Sequence, residues 1–123
     1  MKEMLWIGVG GFAGANARYL LGTWIAERLG ASFPYGTFVI NVTGSFALGL
    51  LVALIEGHGL SPVVRLSLAI GFLGAYTTFS TFTFETLRLI ENGNALLALT
   101  NAVGSLVVGL LAGLLGMVVG RAL

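Results

Sequence analysis

Apolar and polar positions along this chain fall into long blocks. Apolar runs occupy residues 5–25, 35–55, 63–89 and 95–119, and each is close to the ~20 residues an α-helix needs to cross a bilayer. Short polar turns separate them. Glu27 to Pro34 contains Gly30 and a helix-stopping proline, Glu56 to Pro62 ends in a Ser-Pro helix start, and Glu91 to Asn94 is the last. The pattern predicts an all-α integral membrane protein of four transmembrane helices, antiparallel in succession because every loop is short. It predicts one domain, residues 1–123, without a linker or low-complexity segment. Lys2 ahead of an apolar run also suits a cleaved leader, but three more apolar runs follow, so the first is read as a membrane helix.

The third run departs from this pattern. Between Gly71 and Phe82 it holds Gly71 and Gly74, the hydroxyls of Thr77, Thr78, Ser80 and Thr81 beside Tyr76, and the rings of Phe72, Phe79 and Phe82. In hydrocarbon each unpaired backbone group costs several kcal/mol, so a broken helix persists only where it is buried or lines a polar path. A break here is therefore a candidate ion site. Carbonyls of Gly74 and Thr77 can converge on one spot, and carbonyl oxygens suit a hard cation such as Na⁺. One chain offers two such oxygens, so a symmetric pair is needed for a four-oxygen cage. The competing reading is a π-bulge or kink satisfied by Ser and Thr side chains.

Beyond the break, Phe79 and Phe82 share a helical face, with Thr78, Thr81 and Glu85 beside them. Aromatic rings have positive edges, so two rings edge-on to a path can touch a small anion without offering a full charge. Two phenylalanines alone signify packing; the interleaved hydroxyls are what favour a path. Glu85 lies near Arg88 and is read as structural.

Polar residues interrupt the other runs too. Arg18 lies two-thirds along the first, where it either stays at a costly depth or snorkels to the nearer surface, and in both cases it can lend positive potential to an anion entrance. In the second, Asn41 shares a stripe with Thr37, Gly44, Ser45 and Leu48; its two N–H donors suit an anion, and an interhelical hydrogen bond is the commoner use. In the fourth, Asn101, Gly104, Ser105, Gly109, Ala112, Gly113, Gly116 and Gly120 run along one side, a spacing typical of close helix contact. Ser105 and Asn101 can also face a polar track. A GFxGA pattern recurs at residues 11–15 and 71–75, short enough to reflect chance or a shared packing need.

Composition narrows the classes further. The chain is 57% hydrophobic and 9% charged, against about a quarter charged for a soluble domain, so lipid is its better solvent. It has no Cys and no Asp, and its one His, His58, stands alone in a turn; acid–base enzyme chemistry and thiolate metal sites have little material. A net charge of +1 gives no footprint for nucleic acid. Lys2, Arg65 and Arg121 fall on the side of the termini, Arg28 and Arg88 on the other. So even a balance permits insertion in both directions and assembly as an antiparallel pair.

Gly71-Phe72-Leu73-Gly74, then Thr77-Thr78-Phe79-Ser80-Thr81-Phe82 with Glu85 following, resembles the signature of the Fluc (CrcB) fluoride channels. Gly36-Thr37 and Asn41 in the second run and Arg18 in the first match as well. The resemblance covers the whole chain. It implies an antiparallel, dual-topology homodimer in the cell (inner) membrane with two pores that release cytoplasmic fluoride passively. It implies that Phe79, Phe82 and Asn41 line the pores, that Thr78, Ser80, Thr81 and Ser105 supply hydroxyls along a track, and that Arg18 serves the vestibule. It also implies a structural sodium ion at the dimer centre, held by the Gly74 and Thr77 carbonyls of both subunits. Two positions depart from the family pattern. Ala75 replaces the usual second glycine of the break, and Gly109 stands where relatives often carry a serine. The main rival is a small multidrug exporter of four helices, which needs a buried Glu in the first span; here that span holds Arg18 and Glu3 lies at the terminus. A second rival is a non-conducting accessory membrane protein, in which the Thr/Phe stripe has no purpose.

Overall fold

Every regular element in the computed structural model, which describes residues 1–123, is helical. Helix α1 is Lys2–Leu29, α2 is Tyr35–His58, α3 covers residues 62–76, α4 is Phe79–Glu91 and α5 is Ala95–Ala122. The four apolar runs thus become helical rods extended by at most four residues at either end, since polar flanks can continue a helix past its apolar centre. Three stretches are long and apolar enough to cross a membrane: Tyr35–His58, Pro62–Glu91 and Ala95–Ala122. Helix α1 matches α5 in length at 28 residues, about 42 Å at 1.5 Å per residue. Asn16 and Arg18 within it, and Lys2, Glu3, Glu27 and Arg28 at its ends, lower its apolarity.

The third rod is interrupted where the hydroxyl-rich stretch predicts. Thr77 (φ −79°, ψ 156°) and Thr78 (φ −151°, ψ 117°) are extended, and they separate α3 from α4. Residues Arg65–Leu73 upstream are wound as a wide π-helix. The rod thus carries a wide-turn distortion followed by a true break two residues long.

Glycines decide how the rods pack. Helix α1 lies chiefly on α3, and α2 chiefly on α5. At Gly10 and Gly14 an added Cβ would collide with the backbone carbonyls of Ser67 and Phe72, while one at Gly71 would meet the Ile7 carbonyl at 2.6 Å. The two GFxGA segments thus sit against each other, and their shared pattern reflects one shared interface. On the other pair, Gly116 packs on the Phe46 carbonyl and Gly49 on the Gly113 carbonyl. The predicted glycine stripe of α5 splits here. Its far half is close-packed, but Gly104 faces open space and a Cβ at Gly109 would meet only Ser45 Oγ, at 3.7 Å.

Only 16 of 123 residues are buried. Leu, Val and Phe side chains stand outward along α1, α4 and α5, as they do where lipid or another subunit is the neighbour. Gly14→Ala is expected to destabilise the fold by ~1–3 kcal/mol, the range for overpacking against atoms that cannot yield. Gly8→Ala, with nothing within 4 Å of the new methyl, is expected to leave stability unchanged or slightly raised. Unfolding midpoints of the two variants in detergent check this; equal midpoints would remove the α1–α3 glycine contact from the account.

Candidate functional site

The break is held open by one side chain from α2. Asn41 Oδ1 accepts from the Thr78 N–H at 2.9 Å, and Asn41 Nδ2 donates to the Thr78 carbonyl at 3.0 Å. The amide serves the extended residue as a neighbouring β-strand would. Thr78 is buried, and its Oγ1 accepts from the Thr81 N–H at 3.2 Å and donates to Thr81 Oγ1 at 3.0 Å. It is therefore the N-cap of α4. Ser80 Oγ lies 3.4 Å from the same hydroxyl.

These bonds have a consequence for the carbonyls before the break. In a continuous helix the Gly74 carbonyl would accept from the Thr78 N–H, and the Thr77 carbonyl from the Thr81 N–H. The first donor is diverted to Asn41 and the second to the Thr78 hydroxyl. The N–H and hydroxyl of Thr77 both turn back to the Leu73 carbonyl, at 3.1 and 3.0 Å. Gly74, Thr77, Asn41, Gly44 and Ser45 share a small cleft of about 190 Å³. Gly44 must lack a side chain, because a Cβ would collide with the Thr77 methyl and come within 3.3 Å of the Tyr76 ring. Tyr76 stacks on Phe72 at 5.7 Å, and its hydroxyl meets Thr43 Oγ1 at 2.9 Å, which fixes the last turn before the break. No group of three or more His, Cys, Asp or Glu is gathered anywhere in the chain. A cation held here would meet only uncharged oxygens, and the two carbonyls stripped of their helical donors fit that role.

A second, larger cleft of about 580 Å³ lies on the other side of the break. Arg18, Thr37, Thr78, Thr81, Glu85 and Arg88 contribute to its wall. The predicted stripe of Thr78, Thr81 and Glu85 lines it, and Arg18 is half-buried at its side. Glu85 is not held by Arg88. Its Oε1 accepts from Thr37 Oγ1 at 2.9 Å, and its Oε2 is buried with no partner in the chain. Arg88 pairs instead with Glu91, at 3.2 Å on the exposed end of α4. The sequence signal for Glu85 was present: it stands seven residues after Thr78, and Thr37 stands four before Asn41.

Phe79 and Phe82 have ring centroids 5.9 Å apart at 45°. Phe82 is half-buried, whereas Phe79 is 77% exposed on the single chain. Neither belongs to the wall of the larger cleft. Ser105 lies apart from the break, in a groove of about 590 Å³ between α2 and α5 that also takes in Ser45 and Gly109. It donates to Asn101 Oδ1 at 3.3 Å. Asn101, read from sequence as part of a glycine stripe, turns out to be the most buried large side chain of the molecule.

Fold and clefts together define a small multi-pass α-helical membrane protein with polar groups gathered about a broken helix. The chain belongs to the family described as CrcB-like protein, Camphor Resistance (CrcB), which it matches over residues 5–117. It is 53% identical to a protein of Acidobacterium capsulatum over 97% of this chain and 96% of the relative. It is 52% identical to one of Sorangium cellulosum over 100% of this chain and 98% of the relative, and 48% identical to one of Chloroflexus aurantiacus over 98% and 97%. Each of these relatives bears the name Fluoride-specific ion channel FluC.

Proposed function

We propose that this chain is a fluoride-selective channel that lets cytoplasmic fluoride leave the cell passively, working in the inner membrane as an antiparallel, dual-topology homodimer with two pores. The observation that carries the reading is the break at Thr77–Thr78, braced by Asn41 and surrounded by hydroxyls at membrane depth. The relatives' shared name supports the choice of ion.

Fluoride is small and holds its water tightly, so a pore must replace that water at several weak sites in succession. Asn41 has one amide hydrogen beyond the one given to Thr78. Thr78, Ser80, Thr81 and Ser105 add hydroxyls, and the edges of Phe79 and Phe82 add partial positive charge. None carries a full charge that would hold the ion too firmly. Arg18, at the side of the larger cleft, raises the local anion concentration where the ion enters.

Helix α1 serves as the fourth span. Trp6 and Trp24 are both partly exposed and stand 18 residues apart, about 27 Å along a helix, close to the ~30 Å hydrocarbon thickness at whose borders Trp concentrates. Phe79, bare on one chain, and the outward Leu and Val rows are surfaces for a second copy. Two copies related by a two-fold axis bring four carbonyls together, from Gly74 and Thr77 of each. A sodium ion held there supplies a fixed positive charge that ties the two breaks into one unit. The exporter alternative is less well supported, since Glu3 and Glu27 of α1 are both exposed at its ends.

Purified protein in liposomes loaded with both anions is expected to release fluoride and retain chloride when the membrane potential is clamped. Chloride passing as readily as fluoride would overturn the reading. Diffraction with anomalously scattering ion replacements is expected to place one monovalent cation among the Gly74 and Thr77 carbonyls; a water there would remove the sodium.

A further inference from the structure

Asn101 is 1% exposed, and the permeation scheme above does not use it. Three hydrogen bonds run through it in series. Ser105 Oγ donates to Asn101 Oδ1 at 3.3 Å, Asn101 Nδ2 donates to Thr86 Oγ1 at 2.9 Å, and Thr86 Oγ1 donates to the Phe82 carbonyl at 2.8 Å. The direction of this relay is set from its far end. A carbonyl only accepts, so the Thr86 hydroxyl commits its one proton to Phe82 and offers lone pairs to Asn101. The amide N–H₂ of Asn101 must then face Thr86, its oxygen must face Ser105, and the Ser105 proton is drawn inward.

Across the same groove, Ser45 also donates inward, to the Asn41 carbonyl at 2.7 Å. Gly109 places no side chain between the two serines. Both hydroxyls of the groove therefore present oxygen lone pairs outward, and lone pairs repel an anion. For Ser105 to serve a fluoride ion, its proton must leave Asn101 and turn outward. The bond it gives up is the longest of the three, and hence the weakest.

We propose that Asn101 is a positioning residue of the ion route. Oriented by Thr86, it holds the Ser105 proton back from the groove, so that fluoride gains a hydrogen bond at Ser105 only by displacing another. The ion is then held weakly and released quickly. This proposal rests on the fluoride-channel reading.

Thr86→Val keeps the shape of the side chain and removes the hydroxyl that orients the amide. Asn101 can then turn its N–H₂ to Ser105, whose oxygen accepts and whose proton swings into the groove. In the reconstituted full chain, the fluoride concentration for half-maximal efflux is expected to fall roughly two- to tenfold, the equilibrium weight of one hydrogen bond. Maximal flux is expected to fall with it, as release slows. Thr86→Ser is expected to restore the unaltered values. In a Ser105→Ala background, Thr86→Val is expected to leave half-saturation where it was. The proposal is overturned if half-saturation stays fixed or rises in Thr86→Val, or if Thr86→Val moves it equally with and without Ser105. Absence of fluoride efflux from the unaltered protein would defeat the channel reading instead, and is told apart by that control.

Discussion

Phe82→Ile is expected to reduce fluoride efflux tenfold or more while the protein still assembles. Phe82 is half-buried and lies 5.9 Å, centroid to centroid, from Phe79. Isoleucine retains most of the apolar volume, and such swaps usually cost under about 1.5 kcal/mol of stability. What it lacks is the ring quadrupole, whose positive edge a partly dehydrated anion can touch. Each tenfold loss of rate corresponds to about 1.4 kcal/mol on the barrier, within reach of one lost ring edge at a point where water is scarce. Efflux from liposomes reads the rate, and elution volume in detergent reads assembly. Unchanged efflux in the variant would take Phe82 out of the pore.

Asn41→Ala is expected to abolish efflux and to weaken the fold as well. The side chain makes two bonds to Thr78, to its N–H and to its carbonyl. Leaving a buried polar group unpaired costs about 1–3 kcal/mol, and Thr78 would have two. The backbone has one local remedy, which is to return the Thr78 N–H to the Gly74 carbonyl and rebuild the helix. That closes the break, takes up one of the two carbonyls proposed to hold a cation and turns the Thr78–Thr81 stripe out of register. Asn41→Asp is expected to fail too, because a carboxylate can accept from the Thr78 N–H but only repels the Thr78 carbonyl. Unfolding midpoints and efflux together check this pair; an Asn41→Ala variant with full efflux would show that the break stands without its brace.

How the break is kept open explains which parts of the site could be read from residues alone. The excess of hydroxyls and glycine between Gly71 and Phe82 marks an irregular helix, because plain lipid-facing segments have no use for them. Helical periodicity places Thr78, Thr81 and Glu85 on one stripe and Thr37, Asn41, Gly44, Ser45 and Leu48 on another, and in the structure these two stripes meet. Periodicity is silent on partners. Glu85 stands beside Arg88 in the chain, yet it bonds Thr37, 48 positions away, because burial in the cleft favours a hydroxyl donor from the facing helix. The stripe of small residues on α5 reads as one contact surface, but only the half near Gly116 is close-packed. The other half stands over Ser45 and leaves a groove.

The amino-acid sequence by itself determined the number and extent of the helical rods, the membrane as their solvent and the place where the third rod loosens. Those properties come from local composition, and hydrocarbon penalises polar backbone and side chains wherever they occur. Tertiary structure alone decided that Asn41 pairs with Thr78 across 37 residues, that the donors of Gly74 and Thr77 are diverted, and that Asn101 is sealed between Thr86 and Ser105. A hydrogen bond between helices leaves no periodic trace in either one. It depends on the rotation and depth at which two rods meet, and here glycine-to-backbone contacts set both.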